Sequence, residues 1–320
     1  MRVNITVVTH GRLPLTRVCL ESLLPTVRGK DVRVTVVDNA SKDGSREYLQ
    51  DIAARHEAVR LHRFERNMGV AVAANYGWAD ADADYFMKLD NDIEILRPDW
   101  LEKLLAVMDA NPCLGLAGYC HCAWHERTPV RLPSGHEFLE SPGCNGACIL
   151  IPRHIHAEFG FWNEDYGLYG YEDLDYNVRV LHRGYRIGYV DDDAATRHLG
   201  AVRAGDDGRE AAKKRSIASV IGGEKLYLLN KFLFEEGVRD MNVPRKYLPE
   251  TREGRPRFHL NGAYKPILRL QQELLAKVGY TVDGDRVSLD LSAFKSALRD
   301  VGRDVGRDVE HEGRGPAVKN

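Results

Sequence analysis

The stretch Tyr85-Phe-Met-Lys-Leu-Asp-Asn-Asp-Ile-Glu94 joins a short apolar run directly to a group of polar residues. The run from Tyr85 to Leu89 has the length of a buried strand. Asp90 and Asp92 follow at its end, although buried strands avoid unpartnered carboxylates because a desolvated charge is costly. Two carboxylates one residue apart can both turn toward one hard cation. The stretch therefore predicts either a Mg²⁺ or Mn²⁺ site or a solvated acidic turn.

The segments on either side of this stretch alternate between strand and helix patterns. Strands are predicted at residues 3–9, 32–37, 59–64, 85–89, 147–151 and 186–190. Helices are predicted at residues 16–24, 47–54, 67–81, 98–108 and from 172 onward, with Ser45 as the N-cap of the second. Residues 123–142 either pair as short antiparallel strands or stay irregular. This alternation predicts an α/β fold with a doubly wound, mostly parallel sheet and a small antiparallel portion.

Polar residues stand at the carboxyl ends of three of the predicted strands. These residues are Thr9, Asp38 and Asp90. Sheets of this kind bind ligands in the crevice outside the carboxyl ends of their strands. Each residue alone could cap a helix or line a loop, but together they outline a cleft of the size of a nucleotide.

Two later features carry further candidate chemistry. Glu172 and Asp173 lie in the first turn of a predicted helix, where carboxylates also complement the helix dipole. Adjacent helical positions point about 100° apart, so we expect one of the two to face any given site. His198 follows a predicted strand, and a lone histidine is more often structural than functional.

The bulk composition is that of an ordinary globular protein. The chain has 320 residues, 43% hydrophobic and 29% charged, with a net charge of −2, so nucleic acid is not an expected partner. No apolar run approaches the roughly 20 residues needed to cross a bilayer. The N-terminus enters a strand pattern without the cleavage region of a signal peptide. We therefore expect a cytoplasmic enzyme.

The six cysteines do not form a recognisable framework. Cys120, His121 and Cys122, with His125 nearby, invite a zinc interpretation. Their spacing matches no common paired C-x2-C pattern, and free cysteine packs readily as a small apolar side chain. We expect packing cysteines here and not a zinc site.

The C-terminal third differs in composition from the rest. We expect a catalytic domain over residues 1–205 and a helical extension over residues 206–320, with residues 299–320 as a flexible tail. The glycine pair at 222–223 should interrupt or loosen a helix over residues 210–236. Residues 244–259 are rich in proline and charge and are interpreted as a linker or wrapping arm.

Taken in order, these features resemble the family 2 glycosyltransferases with a GT-A fold, over about residues 3–200. The matching pieces are Val7-Val-Thr-His-Gly11, Val36-Val-Asp-Asn-Ala-Ser-Lys-Asp-Gly-Ser45, Asn67-Met-Gly69, Asn75, Leu89-Asp-Asn-Asp92, Asn145-Gly-Ala-Cys148, Tyr169-Gly-Tyr-Glu-Asp-Leu-Asp175 and His198. Each piece is weak alone, but the ordered set is specific. The chain departs from the family pattern in two places. His10-Gly11-Arg12 replaces the usual Tyr-Asn-Arg, and Tyr171 separates Gly170 from the acidic pair.

The resemblance implies a role for each matched residue. The nucleotide-sugar contacts would be Thr9, Asp38, Asn67, Gly69, Asp90 and Asn91. Asp92 and His198 would ligate Mn²⁺ or Mg²⁺, with Asp90 beside both the ribose and the metal. Asp173 would be the catalytic base, and Glu172 is the second choice or a contact to the acceptor.

The resemblance also implies the reaction. A sugar would move from a nucleoside-diphosphate sugar to a hydroxyl of a glycan, lipid-linked or polysaccharide-precursor acceptor, by metal-assisted direct displacement with inversion. One carboxylate suffices to take the proton of the acceptor, and a cation neutralises the departing diphosphate. The C-terminal extension could serve the acceptor, a peripheral membrane contact or self-association.

Two other functions stay open from the sequence. Gly11-Arg-Leu-Pro-Leu-Thr16 resembles part of the signature of sugar-phosphate nucleotidyltransferases, although the first glycines are missing. A glycan-binding module that kept the fold without turnover is the other alternative. A nicotinamide dehydrogenase is excluded because the first strand leads into no G-x-G-x-x-G.

Overall fold

The computed structural model describes residues 1–121, 126–202, 217–252, 254–277, 280–283, 286–290 and 296–297. The chain forms two compact units. The first comprises Met1–Arg215 and Asp240–Leu260, and the second comprises Ser216–Arg239 and Asn261–Asn320. The expected domain boundary at residue 205 and the expected flexible tail at 299–320 both lie outside the described residues and stay predictions.

The first unit contains thirteen strands in the described residues. They are β1 Val3–Thr9, β2 Val32–Asp38, β3 Val59–Arg63, β4 Tyr85–Asp90, β5 Ile93–Ile95, β6 Leu114–Gly118, β7 Thr128–Arg131, β8 Glu137–Glu140, β9 Cys148–Pro152, β10 Arg186–Tyr189, β11 Thr196–His198, β12 Tyr247–Arg252 and β13 Arg255–Leu260. Nine of them form one sheet in the order β3-β2-β1-β4-β9-β6-β10-β8-β7. The pairs among β1 to β4 and the pair β6–β10 are parallel, whereas β7, β8 and β9 pair antiparallel. The predicted fold class is confirmed.

The register of the sheet brings the predicted polar residues to one edge. Thr9 pairs with Asp38 across β1 and β2, and Val8 pairs with Asp90 across β1 and β4. The interiors of these strands are almost completely buried. Since parallel strands end on the same side, the three polar positions lie at one edge of the sheet, where folds of this type bind ligands.

Helices cover both faces of this sheet, and the N-cap of one of them differs from the prediction. The helices are α1 Leu13–Val27, α2 Ser45–Arg55, α3 Val70–Ala79, α4 Trp100–Ala110, α5 Arg153–Phe159, α6 Glu172–His182 and α7 Leu199–Val202. The N-cap of α2 is Gly44, at φ 81°, and not Ser45. The Ser45 hydroxyl instead donates to Asp43 Oδ1 at 2.6 Å. Gly44 takes the cap position because the chain needs left-handed backbone there.

A two-stranded ribbon outside the main sheet joins distant parts of the sequence. Strand β11 pairs antiparallel with β5, and His198 lies opposite Ile93. The Leu199 N–H donates to the Asp92 carbonyl at 2.8 Å. This ribbon fixes the position of His198 beside Asp92 through backbone pairing alone.

The interpretation of residues 244–259 as a linker or arm was wrong. Strands β12 and β13 form an antiparallel hairpin that closes near Gly254, at φ +73°. Prolines are tolerated here because a two-stranded ribbon has free edges that need no N–H donor. Phe258 packs edge-on against Phe64, with ring centroids 4.7 Å apart. The hairpin therefore belongs to the first unit.

The second unit is helical with one further hairpin. Its described elements are α8 Ile217–Glu235, α9 Lys265–Lys277, β14 Tyr280–Asp283 and β15 Arg286–Leu289. The predicted interruption at the glycine pair 222–223 was wrong, because α8 runs through it without a break. Leu229, Leu233 and Leu274 pack together as a buried cluster that stabilises this helix pair. Across the described residues, no helix has the length and apolar character that crossing a membrane requires.

Candidate functional site

At the carboxyl end of β1, a polar triad joins the first strand to the stretch after β4. Asn91 Nδ2 donates to Thr16 Oγ1 at 2.8 Å and to Thr9 Oγ1 at 3.2 Å. The two threonine hydroxyls are 3.0 Å apart. Thr9 is 1% exposed. These side chains therefore fix the relative positions of the two loops, and their predicted contact to a nucleotide stays a prediction.

The loop after β2 is organised by Asp38 and Asn39. Asp38 Oδ1 accepts the Ser41 N–H at 2.8 Å, and its Oδ2 lies 3.3 Å from Arg63 Nε. Asn39 donates to Asn67 Oδ1 at 2.8 Å, which ties this loop to the one before α3. Asn39 was not among the predicted site residues, although it stands in the quoted motif next to Asp38.

Gly69 allows two loops of the site to approach each other. Its φ is +93°, and a Cβ placed there would lie 2.3 Å from the Gly167 carbonyl oxygen. The adjacent Val70 N–H donates to the Leu168 carbonyl at 3.0 Å. The predicted glycine is therefore needed for backbone packing as well as conformation.

The end of β4 brings a carboxylate, an imidazole and a guanidinium together. Asp92 Oδ2 lies 2.6 Å from Arg12 Nη2 and 3.3 Å from His198 Nε2. Burial alone would raise the pKa of Asp92, but His198 and then Arg12 hold that pKa well below its usual range. The hydrogen bond to Asp92 raises the pKa of His198 in turn. The predicted pair of Asp92 and His198 thus lies together, and Arg12 is an additional member.

Lys88 is a second cation at the site that sequence reasoning missed. Its side chain is fully buried on β4 and its Nζ forms an ion pair with Asp90 Oδ1. Residues two apart on a strand share a face. A lysine inside an otherwise apolar strand, two residues before an aspartate, was the signal that could have identified it.

The acidic pair opens α6 on the same side of the sheet. Asp173 Oδ2 accepts the Gly146 N–H at 2.9 Å, while the Asp90 N–H donates to the next carbonyl, that of Ala147, at 2.7 Å. The short segment 146–147 therefore connects the acidic pair to the end of β4. The Leu174 N–H donates to Asp173 Oδ1 at 2.8 Å.

The two carboxyl groups of this pair have different environments. Burial, followed by the charge of Asp173, raises the pKa of Glu172 to about 8. Burial raises the pKa of Asp173 as well, against three backbone N–H groups that stabilise its charged form. Near neutral pH, Glu172 therefore holds a proton while Asp173 is the group better suited to ionisation.

In the described part of the chain, three non-glycine residues have left-handed backbone, and all three stand in or near loops of the site. They are Arg12 at φ 61°, Ala40 at φ 67° and Tyr171 at φ 68°. Such conformations cost about 1–3 kcal/mol each and persist where the surrounding structure requires them. At Tyr171, the departure from the family pattern thus places a tyrosine at the N-cap of α6.

A buried amide supports the segment that leads to the acidic pair. Asn75 Nδ2 donates to Glu164 Oε1 at 2.8 Å, and its Oδ1 accepts the Trp162 N–H at 3.0 Å. Glu164 Oε2 accepts the Tyr247 N–H at 2.8 Å, which links the β12–β13 hairpin to the same segment. Sequence reasoning quoted Asn75 without a role and could not have identified Glu164, whose partners are distant in the sequence.

The donor groups around Asp92 fit a divalent cation. A carboxylate and an imidazole are suitable ligands for Mn²⁺, and oxygen ligands suit Mg²⁺. A Cβ at Gly200 would lie 2.6 Å from Asp92 Oδ2 and 3.4 Å from His198 Nε2, so the glycine keeps space open beside both groups. Among the described residues, no three His, Cys, Asp or Glu side chains are already gathered around one point.

Comparison with known families identifies the class of protein. Residues 4–193 match the family described as glycosyl transferase family 2. This range is more than half of the chain and contains the sheet and every predicted site residue except His198. The chain belongs to glycosyl transferase family 2.

The chain is also similar to solved structures, which share its fold, and to curated proteins. A mannosyltransferase from Pyrobaculum calidifontis in complex with GDP-Man and Mn²⁺ is 18% identical, with a TM-score of 0.52 over 94% of this chain and 75% of its own. Residues 1–349 of TarS from S. aureus are 15% identical, with a TM-score of 0.50 over 82% and 97% of the two chains. The O-antigen biosynthesis protein RfbC of Myxococcus xanthus is 23% identical over 64% of this chain. The chain spans a quarter or less of the length of the first curated relatives that it matches.

Proposed function

We propose that the chain transfers a sugar from a nucleoside-diphosphate sugar to an acceptor hydroxyl, with inversion and with the assistance of a divalent cation. The observation that carries the proposal is the placement of two acidic centres at one sheet edge. Asp92 lies with His198, and Asp173 is connected through residues 146–147 to the end of β4. One centre suits a metal and the other suits a proton acceptor.

The donor would occupy the crevice outside β1, β2 and β4. The contacts proposed for it are Thr9, Asp38, Asn67, Gly69, Asp90 and Asn91. Asp38 and Asp90 lie at equivalent ends of paired strands, where sheets of this type bind nucleotides. The bound GDP-Man of the Pyrobaculum relative supports a donor of this chemical class.

Asp92 and His198 would hold Mn²⁺ or Mg²⁺, with Asp90 on the ribose side. When bound, such a cation acts as a Lewis acid that stabilises the negative charge of the departing diphosphate. Neutral imidazole is the form that binds a metal, so His198 must release the proton that Asp92 favours. We therefore expect binding of the cation to weaken at acidic pH.

Asp173 would take the proton of the acceptor hydroxyl while that oxygen bonds to the anomeric carbon. The bond from this carbon to the diphosphate oxygen breaks in the same step, and its electron pair leaves with the diphosphate. A single base without an enzyme nucleophile gives inversion. Glu172, protonated near neutral pH, would keep a second negative charge away from this base or contact the acceptor.

The test is a screen of nucleotide sugars with the full chain, with and without Mn²⁺. We expect release of a nucleoside diphosphate from one donor and a Mn²⁺-dependent thermal shift that Asp92→Ala abolishes. Donor binding without release, in the presence of acceptor sugars, would instead favour a glycan-binding module. Pyrophosphate release from a nucleoside triphosphate would favour a nucleotidyltransferase. The cytoplasmic location and the acceptor stay predictions.

A further inference from the structure

His121, three residues after the end of β6, lies beside the pair formed by Asp92 and His198. The centroids of the two imidazole rings are 6.0 Å apart. His121 Nε2 is 2.8 Å from the Thr196 hydroxyl oxygen. Its Nδ1 is buried and has no hydrogen-bond partner among the described residues. A buried polar atom without a partner costs about 1–3 kcal/mol, so the site is suited to a group that would bind this nitrogen.

The partner of the other ring nitrogen matches the usual surroundings of a metal ligand. Imidazoles that bind metals almost always donate their second N–H to an outer group, which fixes the tautomer and the ring orientation. With Nε2–H donating to Thr196 Oγ1, the lone pair is on Nδ1. Thr196 is buried and lies on β11, the same short strand that carries His198. One ribbon thus positions both imidazoles.

We propose that His121, through Nδ1, is a third protein ligand of the cation held by Asp92 and His198. This inference rests on the proposed function, because it concerns the same cation. Two imidazoles that share one ion have ring centres at most about 6.5 Å apart, since each nitrogen lies about 2.1 Å from the metal. The 6.0 Å separation is within this limit and near its outer end, so binding would draw the rings together.

The charge state of His121 and the surface position of Arg12 are compatible with this role. Burial, followed by the charge of His198, lowers the pKa of His121 to about 4, so its imidazole is neutral at physiological pH. Arg12 now covers Asp92 Oδ2, but its side chain is 44% exposed. Displacing a half-exposed partner of this kind costs little.

The test is titration of the full chain with Mn²⁺ alone, followed by electron paramagnetic resonance of the free ion. His121→Gln keeps an amide near the Nε2 position and loses the group at Nδ1, whereas His121→Asn keeps an amide near Nδ1. We expect His121→Gln to weaken Mn²⁺ binding by about 10–100-fold and His121→Asn to weaken it less.

His156 is the matched control. Its Nδ1 is also buried without a partner, but its ring packs on Phe86 and Trp78. His156→Gln should leave Mn²⁺ affinity unchanged.

The variants also separate this inference from the proposed function. If Asp92→Ala abolishes Mn²⁺ binding while His121→Gln leaves it unchanged, the role of His121 is refuted and the metal site remains. If Asp92→Ala leaves Mn²⁺ binding unchanged, the proposed metal site itself is refuted. Should His121→Gln fail to fold, electron spin echo spectra of the wild-type complex decide the matter. Coupling of Mn²⁺ to nitrogens of two imidazole rings supports the inference, and coupling to a single imidazole ring overturns it.

Discussion

Asp92 and Glu172 are equally buried carboxyl groups on the same side of the sheet, yet their pKa values are shifted in opposite directions. They are 4% and 6% exposed, respectively. Asp92 contacts Arg12 and His198, and its pKa lies well below the usual range. Glu172 is adjacent to Asp173, and its pKa is raised to about 8. Burial sets the size of the penalty on each charge, and the neighbouring charge decides which protonation state avoids it.

In the proposed function, this difference would divide the work of the site between two centres. The centre around Asp92 would offer its negative charge to a cation. The centre around Glu172 would hold one proton and leave one carboxylate, Asp173, to accept another. Pairs of carboxyl groups whose pKa values are pushed apart commonly divide acid and base roles in this way.

The largest expected effect comes from removing the carboxylate of the second centre. Asp173→Asn should lower kcat by about 10²–10⁴-fold, the usual contribution of a general base. Mn²⁺ binding should persist because Asp92 is untouched. The measurement is nucleoside-diphosphate release under steady-state conditions, with Glu172→Gln as the paired variant. A larger loss for Glu172→Gln than for Asp173→Asn would exchange the two roles.

The next effect is on stability. Because the folded state holds a proton on Glu172 up to about pH 8, this group contributes stability below its unfolded pKa, and that stability is lost as pH rises toward 8. Glutamine does not ionise, so Glu172→Gln should not show this loss of stability as the pH rises. Between pH 5 and pH 8, we therefore expect the variant to gain about 2–4 kcal/mol relative to wild type.

Thermal unfolding in the presence of a chelator, at the two pH values, measures this difference. The matched control is Glu137→Gln, which changes an exposed glutamate on β8 and should follow the pH dependence of the wild type. If Glu172→Gln and wild type lose the same amount of stability between pH 5 and pH 8, Glu172 is ionised in the folded state. The contrast with Asp92 then disappears.

A smaller effect is expected at the centre around Asp92. Gly200→Ala would place a methyl group 2.6 Å from Asp92 Oδ2, in the space beside the carboxylate. We expect about tenfold weaker Mn²⁺ binding by calorimetry, within the range seen for disturbed metal surroundings. Gly222→Ala is the control, since a Cβ there meets no atom of the described residues within 4 Å. Unchanged Mn²⁺ affinity in Gly200→Ala would place the cation elsewhere.

The smallest effect concerns the guanidinium that now covers Asp92. Arg12→Met removes a competing cation, so Mn²⁺ binding without donor should tighten by at most about 1 kcal/mol, a few-fold in affinity. Arg17→Met, which removes an exposed partner of Glu21, should leave the affinity unchanged. Weaker Mn²⁺ binding in Arg12→Met would show that Arg12 supports the site and does not compete for it.

The parts of the fold that depend on local pattern were predictable. Strand β1 matches its predicted range, Val3–Thr9, and β2 and β4 each extend one residue beyond theirs. Their apolar runs are buried on both sides, which gives the strongest sequence signal. The β12–β13 hairpin was missed because its prolines and charges fit a loop as well as an exposed ribbon.

The site was predictable only where a residue type carries its own chemistry. Asp92, His198 and the acidic pair were named from the sequence because their order resembles the family pattern, and the structure brings Asp92 and His198 together. Arg12 was not, since its contact with Asp92 depends on a left-handed turn that appears only in three dimensions. His121 was considered only together with the neighbouring cysteines, because its nearness to His198 appears only in the fold. Asn39 and Glu164 act through partners that are distant in sequence, which no local pattern reveals.

The contact between Gly69 and Gly167 limits how this protein could be redesigned. With only 2.3 Å between a hypothetical Cβ and the opposing carbonyl oxygen, a library that varies residue 69 would lose most of its members to misfolding. Leu168 and Tyr169, by contrast, are 61% and 67% exposed. Because little of the Leu168 side chain is buried, a library that varies residue 168 should keep most of its members folded.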